Sequence, residues 1–204
     1  MPLALKQDQT LTNPFAGKKN FTYKDYLAWP DDVRAEIING VAYMMSPPFT
    51  YHQRVAGKLF NILSNFLKEK TCEAFIAPFG VRLFPEENET DDTVVEPDIL
   101  VVCDPSKIDE RGCNGAPDLA IEILSPSTRR KDRYLKLELY QKAKVREYWI
   151  VSPEDCEIEV HLFENNVTKF YGKNDSDTPD DSELPETVPV FILPGLEIDV
   201  KDIF

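Results

Sequence analysis

The sequence is poor in several things at once. It has only eight glycines among 204 residues, and none of them build a phosphate-cradling loop. It has no G-x-S-x-G segment, so the usual setting of a serine nucleophile on a strand-to-helix turn is missing. Two histidines and four cysteines leave little for a zinc site. Cys72, Cys103, Cys113 and Cys156 form no C-x-x-C pair, and His161 follows Cys156 without a second pair to complete a ligand set. Neither a zinc site nor a disulfide framework is expected, which makes a reducing, cytoplasmic compartment the default. No apolar run reaches the ~20 residues that a membrane span needs. The first ten residues are mixed polar rather than signal-like.

Positive charge is also scarce. Twenty-three Lys and Arg face 36 Asp and Glu, for a formal net charge of −13. This weighs against a nucleic-acid binder that works through a broadly basic surface. Local field matters more than the sum, however. Much of the acid lies in Glu86 to Asp92 and Asp175 to Glu186, both read as solvated loops. Between Arg129 and Arg146 stand Arg129, Arg130, Lys131, Arg133, Lys136, Lys142, Lys144 and Arg146, against only Asp132 and Glu138. For most of these residues an ordinary solvated helix face is the simpler reading.

What is present is an apolar fraction of 42% with 11% aromatics, sufficient for one core without staples. Residues 1–20 read as a flexible tail and 21–204 as a single domain. Phe21 to Trp29 reads as a short helix with Thr22 as its N-cap. Arg34 to Met45 reads as a hairpin about Asn39-Gly40, a pair that accepts positive φ in a type I′ turn. Thr50 to Lys70 is a helix, with Val55, Leu59, Ile62, Leu63, Phe66 and Leu67 in one apolar stripe. Strands follow at Ala74–Ile76, Val81–Phe84, Ile99–Val102 and Leu119–Leu124. A helix spans about Asp132 to Ala143, with strands at Glu147–Val151 and Ile158–Phe163. The tail from Val188 to Phe204 is expected to close the sheet. The order predicts an α/β domain with a mixed sheet flanked by helices.

Two acids stand out against this pattern. Asp98 follows Pro97 at the mouth of an apolar strand, where Pro is tolerated and a side chain can reach a cleft. Read alone, it serves equally well as a turn or capping aspartate. Glu122 interrupts the apolar run Leu119 to Leu124, and burying an acid there is costly unless it is paired or binds a metal. A structural ion pair is the bland alternative. On a helical wheel Leu135, Leu139 and Ala143 fall at about 300°, 340° and 20° from Asp132, and Lys136 falls at about 40°, inside that arc. Lys142 lies at its edge at about 280°. Lys136 therefore points toward the sheet, either as a functional cation or as a snorkelling one. Two carboxylates and an inward lysine suit a hard divalent cation, Mg²⁺ with Mn²⁺ as a substitute, that activates water next to a phosphate.

Glu96-Pro97-Asp98, the segment from Pro117 through Glu122 to Thr128, then Asp132, Lys136, Tyr140 and Glu147-Tyr148-Trp149 together resemble a restriction-endonuclease family abundant in cyanobacteria, within the PD-(D/E)XK nuclease superfamily. Glu36-Ile37-Ile38-Asn39-Gly40, Met44 to Pro48 and Leu193-Pro194-Gly195-Leu196 agree with it, so the likeness covers roughly residues 21 to 204. It implies a restriction-endonuclease-like core and a Mg²⁺-dependent endonuclease acting on DNA. It further implies Asp98, Glu122 and the Ile123 carbonyl as metal ligands. One departure is that Leu124 stands where the motif has lysine. The resemblance implies that this lysine has migrated to the following helix, where Lys136 lies; the departure leaves room for the alternative of an inactive nuclease-fold module that binds nucleic acid or a protein. His52, in the apolar stripe of its helix, could occupy the place of an acidic residue that the superfamily often adds from its first helix, or be a core histidine. Glu36 faces the site or supports the hairpin. A homodimer is expected if both strands of a duplex are cut.

Overall fold

The computed structural model describes residues 15, 18–30, 32–126, 128–172 and 184–204. Most of the expected N-terminal tail, and most of the acidic loop from Asp175, lie outside the described residues. Phe15 lies inside them and packs edge-on against Phe21 and Trp29.

The chain opens with helix α1 (Tyr23–Tyr26), whose Thr22 backbone N–H donates to the Asp25 carboxylate at 2.9 Å. Strands β1 (Ala35–Ile38) and β2 (Val41–Met44) form the expected hairpin. Asn39 and Gly40 turn it with φ of 50° and 74°, the left-handed values for which a type I′ turn selects these residues. Helix α2 (Thr50–Phe66) follows, then β3 (Glu73–Ile76), β4 (Val81–Arg82), β5 (Val94–Val95), β6 (Ile99–Val102), β7 (Ile108–Asp109), β8 (Gly112–Asn114) and β9 (Leu119–Ile123). A π-helical segment (Lys131–Lys136) runs straight into helix α3 (Leu137–Ala143). The chain finishes with β10 (Glu147–Ser152), β11 (Glu157–Leu162), β12 (Val167–Gly172), β13 (Thr187–Pro189) and β14 (Glu197–Asp199).

These strands make two six-stranded sheets, each mixed as expected, and a separate two-stranded ribbon. The first has the order β2-β1-β5-β4-β8-β7 and the second β12-β11-β10-β9-β6-β3. The two-residue strands β5 and β7 carry no alternation long enough to be read from sequence. The last two strands do not close either large sheet. They pair with each other, and Val188, Leu193, Ile198 and Ile203 join the core beneath α2.

Strand β9 separates the two cores by its period of two. Leu119, Ile121 and Ile123 pack with Val55, Leu59 and Leu63 of α2, while Ala120 and Leu124 face the side shared with Leu139 and Tyr140 of α3. Glu122 belongs by parity to the α3 side. β9 and β10 run parallel, with the π-turn and α3 as their crossover. β6 runs antiparallel to β9 with Ile99 opposite Ile121. One further step of that register sets Asp98 opposite Glu122 on the same face.

One expectation is corrected here. Cys72 and Cys103 are joined in a disulfide. They extend the β3–β6 pairing, in which Glu73 faces Val102, by one residue. Cysteines 31 residues apart can become cross-strand neighbours only through that register, which no local spacing reveals. Unpaired cysteines therefore give no argument for a reducing compartment. No helix among the described residues is long and apolar enough to cross a membrane.

Candidate active site

A cavity of about 890 Å³ opens between the β1–β2 hairpin, the start of α2, the mouths of β6 and β9, and the π-turn. Glu36, His52, Asp98, Glu122, Ile123 and Lys136, the candidate site residues of the sequence, all line it. Lys142 does not line it, and its ammonium sits over the Phe84 ring.

Lys136 is the centre of the arrangement. Its side chain is 2% exposed, and its Nζ lies 2.6 Å from Glu122 Oε1 and 2.5 Å from Glu36 Oε1. The same Glu122 oxygen accepts a hydrogen bond from the Tyr140 hydroxyl at 2.7 Å. Glu36 is fully buried in β1, is also paired with Lys131, and accepts from the Glu96 backbone N–H at 3.0 Å. Glu36 thus faces the site rather than merely supporting the hairpin. The expected link between Lys136 and Asp132 is the weakest of these contacts, at 4.0 Å.

Asp98 Oδ2 accepts from the Ile123 backbone N–H at 2.7 Å and lies 3.1 Å from His52 Nε2. This bond ties the end of β9 to the mouth of β6 and fixes the aspartate against the cavity. His52 is therefore a partner of Asp98 and not an isolated core histidine. The segment that delivers Lys136 is a π-helix, a form that is rare and concentrated at functional sites. It directs both Asp132 and Lys136 inward while leaving Tyr134 exposed. The Tyr148 hydroxyl secures it by donating to the Asp132 carbonyl at 3.0 Å.

The electrostatics follow from gathering buried Glu36, Glu122 and Asp132, with half-buried Asp98, around buried Lys136 and half-buried Lys131. Burial raises the Glu36 carboxyl, but the charges of Lys136 and Lys131 outweigh it and hold the group below its ordinary range. Glu122 has only Lys136; burial, with Asp132, Asp98 and Glu36 nearby, pushes it well above the ordinary range. The shared lysine thus serves Glu36 as an ionised partner first. Burial disfavours charge on Lys136, yet the carboxylates around it hold it well above its usual value, so it stays protonated at neutral pH. Burial pushes Asp132 up to about 6. For His52 burial opposes protonation, but the bond to Asp98 prevails and raises it.

This excess of carboxylate fits a cation. Asp132 Oδ1 is buried without a hydrogen-bond partner in the cavity wall. Among the described residues no three His, Cys, Asp or Glu side chains converge as a closed metal cage. An ion held here would take few protein ligands and retain water, as Mg²⁺ commonly does.

Sequence reasoning missed the Glu36–Lys136 pair and the Tyr140 hydroxyl. A signal for the first was present, since Glu36 interrupts Ala35-Glu36-Ile37-Ile38 as Glu122 interrupts its own strand. Tyr140 carried only the wheel position that marked it as core.

Comparison with known proteins agrees with this architecture. A crystal structure of a putative nuclease from Anabaena variabilis superposes with a TM-score of 0.67 at 23% identity, covering 90% of this chain and 97% of that one. The fold is thus restriction-endonuclease-like. An uncharacterised protein of Synechocystis sp. is 28% identical over 152 residues, which is 73% of this chain and 77% of that protein. The model of the Uma2 family, described as "Putative restriction endonuclease", matches residues 23–200, and the chain belongs to that family.

Proposed function

We propose that this protein is a metal-dependent endonuclease that hydrolyses phosphodiester bonds in DNA. The observation that carries the reading is Lys136, buried and touching Glu122 in a cavity that Asp98 also lines. Asp98, Glu122 and the Ile123 carbonyl would hold the divalent cation. When bound, that cation would polarise the phosphate and ease ionisation of an attacking water.

The chain's own residues supply the rest. Lys136 keeps its proton, so it is equipped to donate hydrogen bonds to negative charge developing on the phosphate rather than to accept a proton. Glu36 shares that ammonium and fixes its direction. The His52 and Ile123 N–H contacts keep Asp98 turned to the cavity. In the reaction, water oxygen bonds to phosphorus, the bond to one ester oxygen breaks, and the water's proton leaves to solvent as that oxygen gains one. The family name supports nuclease chemistry, and the proposal of DNA and of Mg²⁺ extends it.

The test is cleavage of supercoiled plasmid with Mg²⁺ or Mn²⁺. Asp98→Asn and Glu122→Gln are each expected to lower the rate by on the order of 10²-fold or more. Cleavage that survives both substitutions would defeat the assignment.

A second reading has one observation in its favour. Lys136 already occupies a Glu122 oxygen, and no closed cage exists among the described residues, as in a module that binds without cutting. Such a module would bind its partner equally well with both carboxylates substituted. The proposal also includes a homodimer, which sedimentation equilibrium would detect.

A further inference from the structure

The three most exposed large apolar side chains among the described residues are Tyr134 at 70%, Met44 at 60% and Phe49 at 57%. All three line the same cavity. A chain with ample polar residues has no folding reason to gather such side chains around a pocket whose floor is charged.

The local chemistry sharpens the point. Phe49 occupies the N-cap of α2 and provides no side-chain cap for it. Ser, Thr, Asp or Asn would stabilise the helix there, so the aromatic ring is kept at a local cost. Pro47 and Pro48 stiffen the approach to it, and its ring stacks on Tyr51 at 5.7 Å with planes 7° apart. Tyr134 comes from a different wall, the π-turn, whose register puts its neighbours Asp132 and Lys136 inward.

Cations alternate with these rings. Arg34, Arg130 and Lys131 line the same cavity. Arg34 is paired with Glu96 and Lys131 with Glu36, while Arg130 is exposed and has no ion-pair partner among the described residues. Aromatic faces beside cations, above an acid-bearing floor, match a strand with free bases and anionic phosphates. They match a duplex poorly, because its bases are stacked inward and offer the rings nothing to grip. Glu122 and Lys136 are also nearly fully buried at the floor, a depth that suits a narrow strand better than a rod with two backbones.

Resting on the nuclease reading, we propose that Phe49 and Tyr134 form a base-stacking subsite, so that the strand bound at this site is single-stranded DNA. Arg130 takes a phosphate next to the held base.

The experiment measures binding of fluorescein-labelled oligonucleotides by anisotropy in EDTA, where cleavage is prevented. Wild type is compared with Phe49→Ala, Tyr134→Ala, the double variant and Tyr134→Phe. Ligands are a single strand, its duplex, its RNA counterpart and a strand with one abasic position. Both rings are exposed, so the variants keep the core. Tighter binding of the single strand than of the duplex is expected, with each alanine weakening it about 5- to 100-fold. Tyr134→Phe should bind as wild type, and the abasic strand should lose affinity for wild type but not for the double variant. Equal affinity of wild type and double variant for the single strand overturns the subsite, as does preference for duplex or a marked preference for RNA. Metal-dependent cleavage of the single strand and of plasmid by the same preparations separates the two readings: if it persists while the rings prove irrelevant, the nuclease stands and the subsite falls. If neither binding nor cleavage of any nucleic acid occurs, both fall.

Discussion

Lys136 is the sole cation paired with buried Glu122 among the described residues and one of two paired with buried Glu36, so its removal is first an event of stability. Lys136→Met leaves Glu122 without a cation and Glu36 with Lys131 alone, and is expected to cost about 3–5 kcal/mol in urea unfolding. Adding Glu36→Gln to that variant should recover part of the loss, because the two sites share one interaction. Activity lost in the single variant alone would therefore mix chemistry with folding, and the double variant separates them. Asp132 offers a second test through pH. Its carboxyl is raised to about 6, so the protonated form is the one the fold prefers. Stability from this group is fully present below its ordinary unfolded value and is lost as pH rises through about 6. Asp132→Asn should then be more stable than wild type to urea at pH 8, by at most about 3 kcal/mol, with the gain vanishing below about pH 4. A difference independent of pH would refute that role. Much of this chemistry was legible beforehand, because an acid inside an apolar strand and a lysine inside an apolar arc contradict their surroundings. Glu36 escaped a firm assignment because its partners, Lys131 and Lys136, lie 95 and 100 positions away.

At the scale of elements, the π-turn is the device that needs testing. A regular helix fits the same apolar spacing, so the wheel placed Lys136 correctly without revealing that the backbone is widened. Deleting Arg133 should return the segment toward α-helical spacing and rotate Asp132 by about 100° relative to Lys136. The variant is expected to fold, by circular dichroism, yet lose metal-dependent cleavage. Retained cleavage would mean that the wide turn has no part in the site. The hairpin and α2 were readable because each carries its own local rule, Asn39-Gly40 for the turn and a long stripe for the helix. β5, β7 and the β13–β14 ribbon were not, since strands this short are defined by their neighbours and not by their own residues.

Taken whole, the molecule is strongly acidic, with net charge −13. Arg129 meets Glu154 and Asp155, Arg133 meets Glu159, and Arg146 meets Asp118 and Glu164. The basic segment is thus mostly neutralised within the fold, as the bland reading of it held. If Arg34, Arg130 and Lys131 make the phosphate contacts, log K against log salt should have a slope of only about −2 to −3. A much steeper slope would reveal a larger basic surface than the fold presents.

The Cys72–Cys103 link has a consequence for how the chain comes apart. It closes a ring of sequence that contains Asp98 and the acidic stretch from Glu86 to Asp92. A protease that cuts once within that stretch severs the backbone but frees no fragment. Such a nicked molecule should run as one band on a denaturing gel without reductant and as two once thiol is added, with Asp98 travelling in the C-terminal piece.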